Sequence, residues 1–201
     1  MPHPPNQKPE TRERILKSAR HLFNRKGLAG VTIDEIMAHA GLTRGGFYKH
    51  FNTKQELYAE AIAEFDCSGP EIWQREPWQK AHIDPSAHGV RLAQMIVNAY
   101  LSEEHFDDRD ASCPMIGLPS DVARGAEPVK VAYRRVLERM ARAFEANLPQ
   151  AQPPARQRAL ALVALCVGGM VLARAIDDPA LAKDLRNAAR DHVLAASGWT
   201  G

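Results

Sequence analysis

Val31-Thr-Ile-Asp-Glu-Ile-Met-Ala-His-Ala-Gly-Leu-Thr-Arg-Gly-Gly-Phe-Tyr-Lys-His-Phe-Asn-Thr-Lys54 is the stretch whose reading decides the fold. Thr32 stands three residues before Glu35, the spacing of a capping box, and Val31 and Ile36 are placed as its hydrophobic staple. A helix therefore runs from about Ile33 to Ala40, and Gly41 makes a turn. Thr43 caps a short helix from about Arg44 to His50. Thr53 and Glu56 repeat the capping-box spacing and open a further helix carrying Leu57, Ala61, Ile62 and Phe65. Upstream, Ile15, Leu16, Ala19, Leu22 and Phe23 recur at helical spacing, which predicts a helix over Glu10 to Lys26 that Gly27 ends.

Two short helices around a glycine turn, the second basic and aromatic, are how a helix-turn-helix lays one helix in the DNA major groove. Arg44, at the start of that helix, suits the O6/N7 pair of guanine. Gly45 and Gly46 each cost roughly 1 kcal/mol of helix propensity relative to Ala, a cost that fits close backbone approach to DNA. Tyr48, Lys49, His50 and Lys54 offer hydroxyl, ammonium and imidazole donors, and Thr32 and Thr43 stand beside helix N–H groups that suit phosphate oxygens. Phe47 and Phe51 are expected to pack inward against Phe23 and Ile36.

Charge agrees with this reading. The net charge of +2 over 201 residues hides an asymmetry: residues 1–55 carry 10 Lys and Arg against 4 Asp and Glu, whereas residues 56–201 carry 16 against 20. Attraction to phosphate is thus confined to one end. Cys67, Cys113 and Cys166 show no zinc spacing, and with no signal peptide in view they are expected to be reduced cytoplasmic thiols. Met1 to Pro9 reads as a mobile arm. The longest uncharged run, Ala159 to Ala173, falls short of the ~20 apolar residues of a membrane span, so no transmembrane segment is expected.

The remainder is read as helical, with no period-2 strand pattern and no internal repeat. Gly69, Pro70, Pro77 and Pro85 make Ser68 to Pro85 a break. Helices follow over about Ser86–Glu103, Glu127–Asn147, Ala155–Ile176 and Pro179–Ala196, with an irregular acidic stretch at Glu103–Asp110 and a helix resuming near Ser120. In the segment from Leu160 to Leu172 apolar residues surround the helix, which must then be covered on all sides, one of them by a partner chain. Leu160, Val163, Val167, Gly168 and Val171, with Leu181 and Leu185 of the last helix, are the candidate dimer interface; Gly168-Gly169 would admit a close backbone approach.

Residues 10 to 60 resemble the N-terminal domain of the TetR family of transcriptional regulators. The features that carry the resemblance are Ala19-x-x-Leu22-Phe23, Gly27, Thr32-Ile33, Ala40-Gly41-Leu42-Thr43 and Gly46-Phe47-Tyr48-Lys49-His50-Phe51, followed by Lys54 and Leu57. After the Pro-rich stretch at 1–9, expected on its composition to be a disordered arm, the resemblance implies an all-α protein with a three-helix DNA-binding head at 10–54 and a helical effector-binding and dimerising body at 55–201. It also implies phosphate contacts at Tyr48 and Lys54, a homodimer on a palindromic double-stranded operator, and release of a repressor by a small-molecule effector. Trp73, Tyr100, Phe106, Cys113, Met115, Tyr133 and Met170 are the candidate effector-binding residues.

Other functions are weighed on the same residues. Cys113 precedes Pro114 just before a helix start, where a helix N-terminus lowers and Asp107, Asp108 and Asp110 raise a thiol's pKa, so a thiol-sensing regulator is one alternative. His105 among Glu103, Glu104, Asp107 and Asp108 is a weaker metal candidate, and no metal or other cofactor is expected. No catalytic motif is present, and an enzyme with an incidental basic end is the remote reading.

Overall fold

The computed structural model describes residues 7–65, 84, 86–151 and 153–199, all helix, turn or irregular chain with no strand among them. The expected break at Ser68 to Pro85, with Cys67, Trp73 and Trp78, lies almost wholly outside the described residues. The head is built of α1 (Gln7–Lys26), α2 (Ile33–His39) and a 3-10 helix (Arg44–Lys49), and α3 (Lys54–Ala63) leads out of it. The body contains α4 (Gly89–Tyr100), the short turns α5 (Glu103–Asp107), α6 (Pro114–Gly117) and α7 (Pro119–Arg124), then the long helices α8 (Glu127–Glu145), α9 (Ala155–Arg174) and α10 (Pro179–Ser197).

Several elements differ from the sequence reading for identifiable reasons. Helix α1 begins at Gln7 and takes in Pro9, which a first turn tolerates because the N–H that proline lacks would have no intrahelical partner there. The segment after Thr43 is a 3-10 helix, consistent with the low helix propensity of Gly45 and Gly46, and the Thr43 side chain makes no capping bond. Helix α4 starts at Gly89, whose φ of +62° is a left-handed backbone suited to glycine. The acidic stretch forms its own turn, because the Ser102 hydroxyl accepts from the His105 N–H at 3.2 Å. The capping box at Thr53 is shared out: Thr53 accepts from the Glu56 N–H at 3.0 Å, while the Glu56 carboxylate reaches the Asn52 N–H at 2.7 Å.

A continuous apolar core joins head and body. Ile15, Ala19 and Phe23 of α1 meet Ile36, Phe47, Phe51 and Leu57, and the same cluster runs on through Tyr100, Val136, Met140, Phe144 and Cys166. Helix α9 packs between α8 and α10, and α3 lies along α8. Arg139 of α8 donates to the carbonyls of Ala63 (3.0 Å) and Phe65, so the body holds the end of α3 by its orphan carbonyls.

A second joint ties α1 to the body through polar contacts. The Asn24 amide donates to the carbonyls of Asp110 and Ser112, each at 2.9 Å, and Arg25 grips the Asp110 carboxylate with two N–H groups, one at 2.7 Å. The Leu28 N–H donates to Asp121 at 2.7 Å beside Gly27, whose φ of +69° turns the chain. Helix α9, at twenty residues, is longer than the uncharged run inside it and is long and apolar enough to cross a membrane by length and composition alone, a property that the core helix of a soluble protein shares. Its inner face, with Leu162, Cys166 and Met170, is packed in the core.

Candidate nucleic-acid interface

The head holds its reading surface by burying the opposite side. Phe47 and Phe51 are inaccessible, with ring centroids 5.8 Å apart, and the Arg12 guanidinium stacks 4.7 Å over Phe51. With Phe47 anchored, Thr43, Arg44, Gly45, Tyr48 and Lys49 are exposed on the 3-10 helix and its cap, Tyr48 at 58%. A β-carbon on Gly45 would meet nothing within 4 Å, whereas one on Gly46 would rest 3.5 Å from Met37. Gly45 therefore leaves open surface, and Gly46 sits against the head's own packing.

The charged candidates are partly engaged already. Arg44 donates to Asp34 at 2.6 Å across two exposed side chains, an ion pair of the kind that contributes ~0–1 kcal/mol and is readily exchanged for another acceptor. Lys54 is half-buried and donates to the carbonyls of Leu28 and Val31, each at 2.8 Å, which leaves one N–H of its ammonium for another acceptor. Its immediate work is to fasten the loop before α2. Thr32 is spent in its capping box: its hydroxyl accepts from the Glu35 N–H at 3.1 Å, and the Glu35 carboxylate takes the Thr32 N–H at 2.7 Å. That backbone bond, with Lys26 and the Thr32 hydroxyl, holds the Glu35 carboxyl down at about 2. His50 is half-buried, its Nδ1 has no hydrogen-bond partner, and burial followed by Lys8, Arg12 and Lys49 lowers its pKa.

The helix expected to meet a partner chain is resolved into two faces. Val163 is buried in the chain's own core and is not part of the outer face, which is a correction to the sequence reading. Leu160, Leu165 and Leu172 are exposed along α9, and Leu181 is exposed at the start of α10; Val167, Gly168, Val171 and Leu185 are half-buried. Leu165 and Leu172, outside the candidate set, share the exposure of Leu160 and Leu181, which the sequence did not indicate because a helix apolar all round carries no signal for its phase.

The candidate effector residues are mostly packed. Tyr100, Cys113, Met115 and Met170 are fully buried, Tyr133 is half-buried, and Phe106 lies 4.5 Å beneath the Arg186 guanidinium. Burial pushes the Cys113 and Cys166 thiols up to about 12, so neither is a thiolate at neutral pH in this conformation. The cause at Cys113 is burial, not the neighbouring carboxylates. His105 points inward: its Nδ1–H donates to the Tyr100 carbonyl at 2.7 Å, and burial, then Arg174, hold its pKa well below the usual histidine value. Among the described residues no group of three or more His, Cys, Asp or Glu side chains is arranged to hold a metal.

Comparison with known proteins places this geometry. Residues 15–61 match the family described as bacterial regulatory proteins, tetR family. An uncharacterized HTH-type transcriptional regulator of Bacillus subtilis, YerO, is 44% identical over 52 residues, which are 26% of this chain and 18% of YerO. The similarity to that relative is thus confined to a small part of its length. The Mycobacterium tuberculosis regulator Rv0196 is 26% identical over 174 residues, covering 81% of this chain and 84% of that one. A TetR-family regulator from Agrobacterium tumefaciens superimposes with a TM-score of 0.68 at 17% identity, over 92% of this chain and 97% of the other, so the fold extends through the body. The helix-turn-helix head thus matches the tetR family over residues 15–61, and the all-helical body shares the fold of solved TetR-family regulators.

Proposed function

We propose that the chain is a DNA-binding transcriptional regulator. It works as a homodimer in the cytoplasm on a palindromic duplex site, represses by occupying that site, and is released by a small molecule bound in the body. The observation that carries the reading is the exposure of Thr43, Arg44, Gly45, Tyr48 and Lys49 on one side of a 3-10 helix whose other side is anchored by Phe47. Arg44 gives base contact once it leaves Asp34, and Tyr48, Lys49 and Thr43 give phosphate contacts. His50, Thr32 and Lys54 support the surface more than they extend from it, with one Lys54 N–H left for phosphate.

A single head of this size makes few contacts, and two heads about 34–36 Å apart match one turn of duplex. The exposed leucines of α9 and α10 supply the surface for pairing: Leu160, Leu165, Leu172 and Leu181 leave an apolar stripe that a second copy would bury. The division into a head at 10–54 and a body at 55–201 belongs to this proposal. Titration of a labelled duplex at two salt concentrations tests it. Binding should weaken steeply with salt, log K falling by about 0.9 per phosphate neutralised for each unit of log salt. Indifference to duplex DNA at both concentrations contradicts the reading.

A further inference from the structure

A cleft of about 480 Å³ opens where the end of α1 meets the segment between α5 and α6 and the end of α9. Its lining includes Asn24, Arg25, Asp108, Arg109, Asp110 and Arg174. Arg25 and Asp110 satisfy each other, so the charges left to face a ligand are those of Asp108 and Arg174, with Arg109 and Asp107 at hand.

Arg174 and Asp108 are each short of one partner. Arg174 donates through its terminal nitrogens to the Ser112 hydroxyl (2.7 Å) and to the carbonyls of His105 and Asp108 (2.9 Å for the latter), all neutral acceptors, while its Nε is buried with no partner. No carboxylate among the described residues lies within ion-pair distance of it. Asp108 uses one oxygen to accept the N–H groups of Asp110 and Ala111 at 3.0 Å each, and its other oxygen is buried without a partner. Arg174 and Asp108 thus line one cleft, each carrying a buried polar atom with no partner, an arrangement that is unfavourable unless something brings complementary groups to these two side chains.

We propose that this cleft is a binding site for a small zwitterion, a carboxylate and an ammonium on a short backbone, the chemistry of a free α-amino acid. The carboxylate faces Arg174 and the ammonium faces Asp108. An anion alone would meet Asp108 and Asp107, and a cation alone would meet Arg174 and Arg109, so only a ligand of both signs suits the lining. Such a ligand bridges α9 to the segment that grips Asn24 and Arg25, and so stiffens the joint between body and head. That consequence for regulation rests on the DNA-binding reading; the binding itself does not, and is measured without DNA.

The test is thermal unfolding of the full chain, in a buffer free of amines and carboxylates, with each free α-amino acid in turn. Acetate and methylammonium serve as half-ligands. At least one amino acid should raise the midpoint saturably by a few degrees, since a ligand that binds only the folded state stabilises it by mass action. Neither half-ligand should do so. Asp108→Asn keeps an oxygen for the Asp110 and Ala111 N–H groups and should weaken that amino acid at least tenfold, as should Arg174→Gln. The proposal is overturned if no amino acid shifts the midpoint, if a half-ligand shifts it equally, or if Asp108→Asn binds as the parent does.

Discussion

Gly169 of α9 lies against Ala189 of α10 so closely that a β-carbon on the glycine would stand 2.6 Å from the alanine's own. Its neighbour Gly168 faces the other way, onto open space. One glycine thus lets two helices of the same chain approach, and the other leaves the outer surface of α9 flat. Gly169→Ala should destabilise the fold by up to about 2 kcal/mol net, the ~1–3 kcal/mol cost of overpacking less the roughly 1 kcal/mol of helix propensity gained. Gly168→Ala, free of that clash, should leave the chain's own stability unchanged or slightly raised. Chemical denaturation of both variants checks the contrast, and equal midpoints would contradict it.

Leu172 is 56% exposed, a large apolar side chain left to water at the end of the helix proposed for pairing. Leu172→Glu should leave the helical circular dichroism intact, halve the mass seen by sedimentation, and weaken duplex binding with it. A variant that stays dimeric would remove α9 from the interface.

His105 makes stability depend on pH in a defined direction. Its folded-state pKa is depressed, by burial first and by Arg174 second, against a backbone hydrogen bond to Tyr100 that works the other way. The unfolded chain therefore binds a proton that the folded chain refuses, and stability is lost as pH falls below about 6.5. The loss reaches up to about 1.4 kcal/mol per pH unit for one such group. His21 and His50 are lowered too and add in the same direction. The unfolding midpoint measured from neutral pH to pH 5 should fall, and His105→Gln should flatten the curve.

Cys113 bears on the thiol-sensing alternative. A thiol with no exposed surface and a pKa raised to about 12 reacts only when the segment around it opens. In a Cys67→Ser background, a thiol reagent should label the native protein slowly, at a rate that rises with denaturant. Fast stoichiometric labelling of Cys113 in the native state would revive the alternative.

What could be read from the sequence was local. The Thr32–Glu35 box, the turn at Gly41, the stop at Gly27 and the inward Phe47 and Phe51 are set by residues a few positions apart, and all are present in the structure. The phase of α9 was not legible, since apolar residues all round give no moment to separate Val163, buried, from Leu165, exposed. Nor was the engagement of Arg44 by Asp34 or of Lys54 by two carbonyls, because such contacts depend on how α2 and the preceding loop fold back. The joint made by Asn24, Arg25 and Asp110 joins residues over 80 positions apart and partly uses backbone carbonyls, which carry no sequence signal.

The most direct test of the account is duplex binding by Arg44→Ala/Lys49→Ala. Both side chains are exposed and Arg44 is bonded to the exposed Asp34 carboxylate, so the double variant should fold and dimerise as the parent does. Titrated on the genomic fragments the parent retains, it should lose base discrimination worth about 1–3 kcal/mol at Arg44 and show a shallower salt slope from the missing Lys49. Parental affinity and salt dependence in the folded variant would contradict the claim that this 3-10 helix reads DNA.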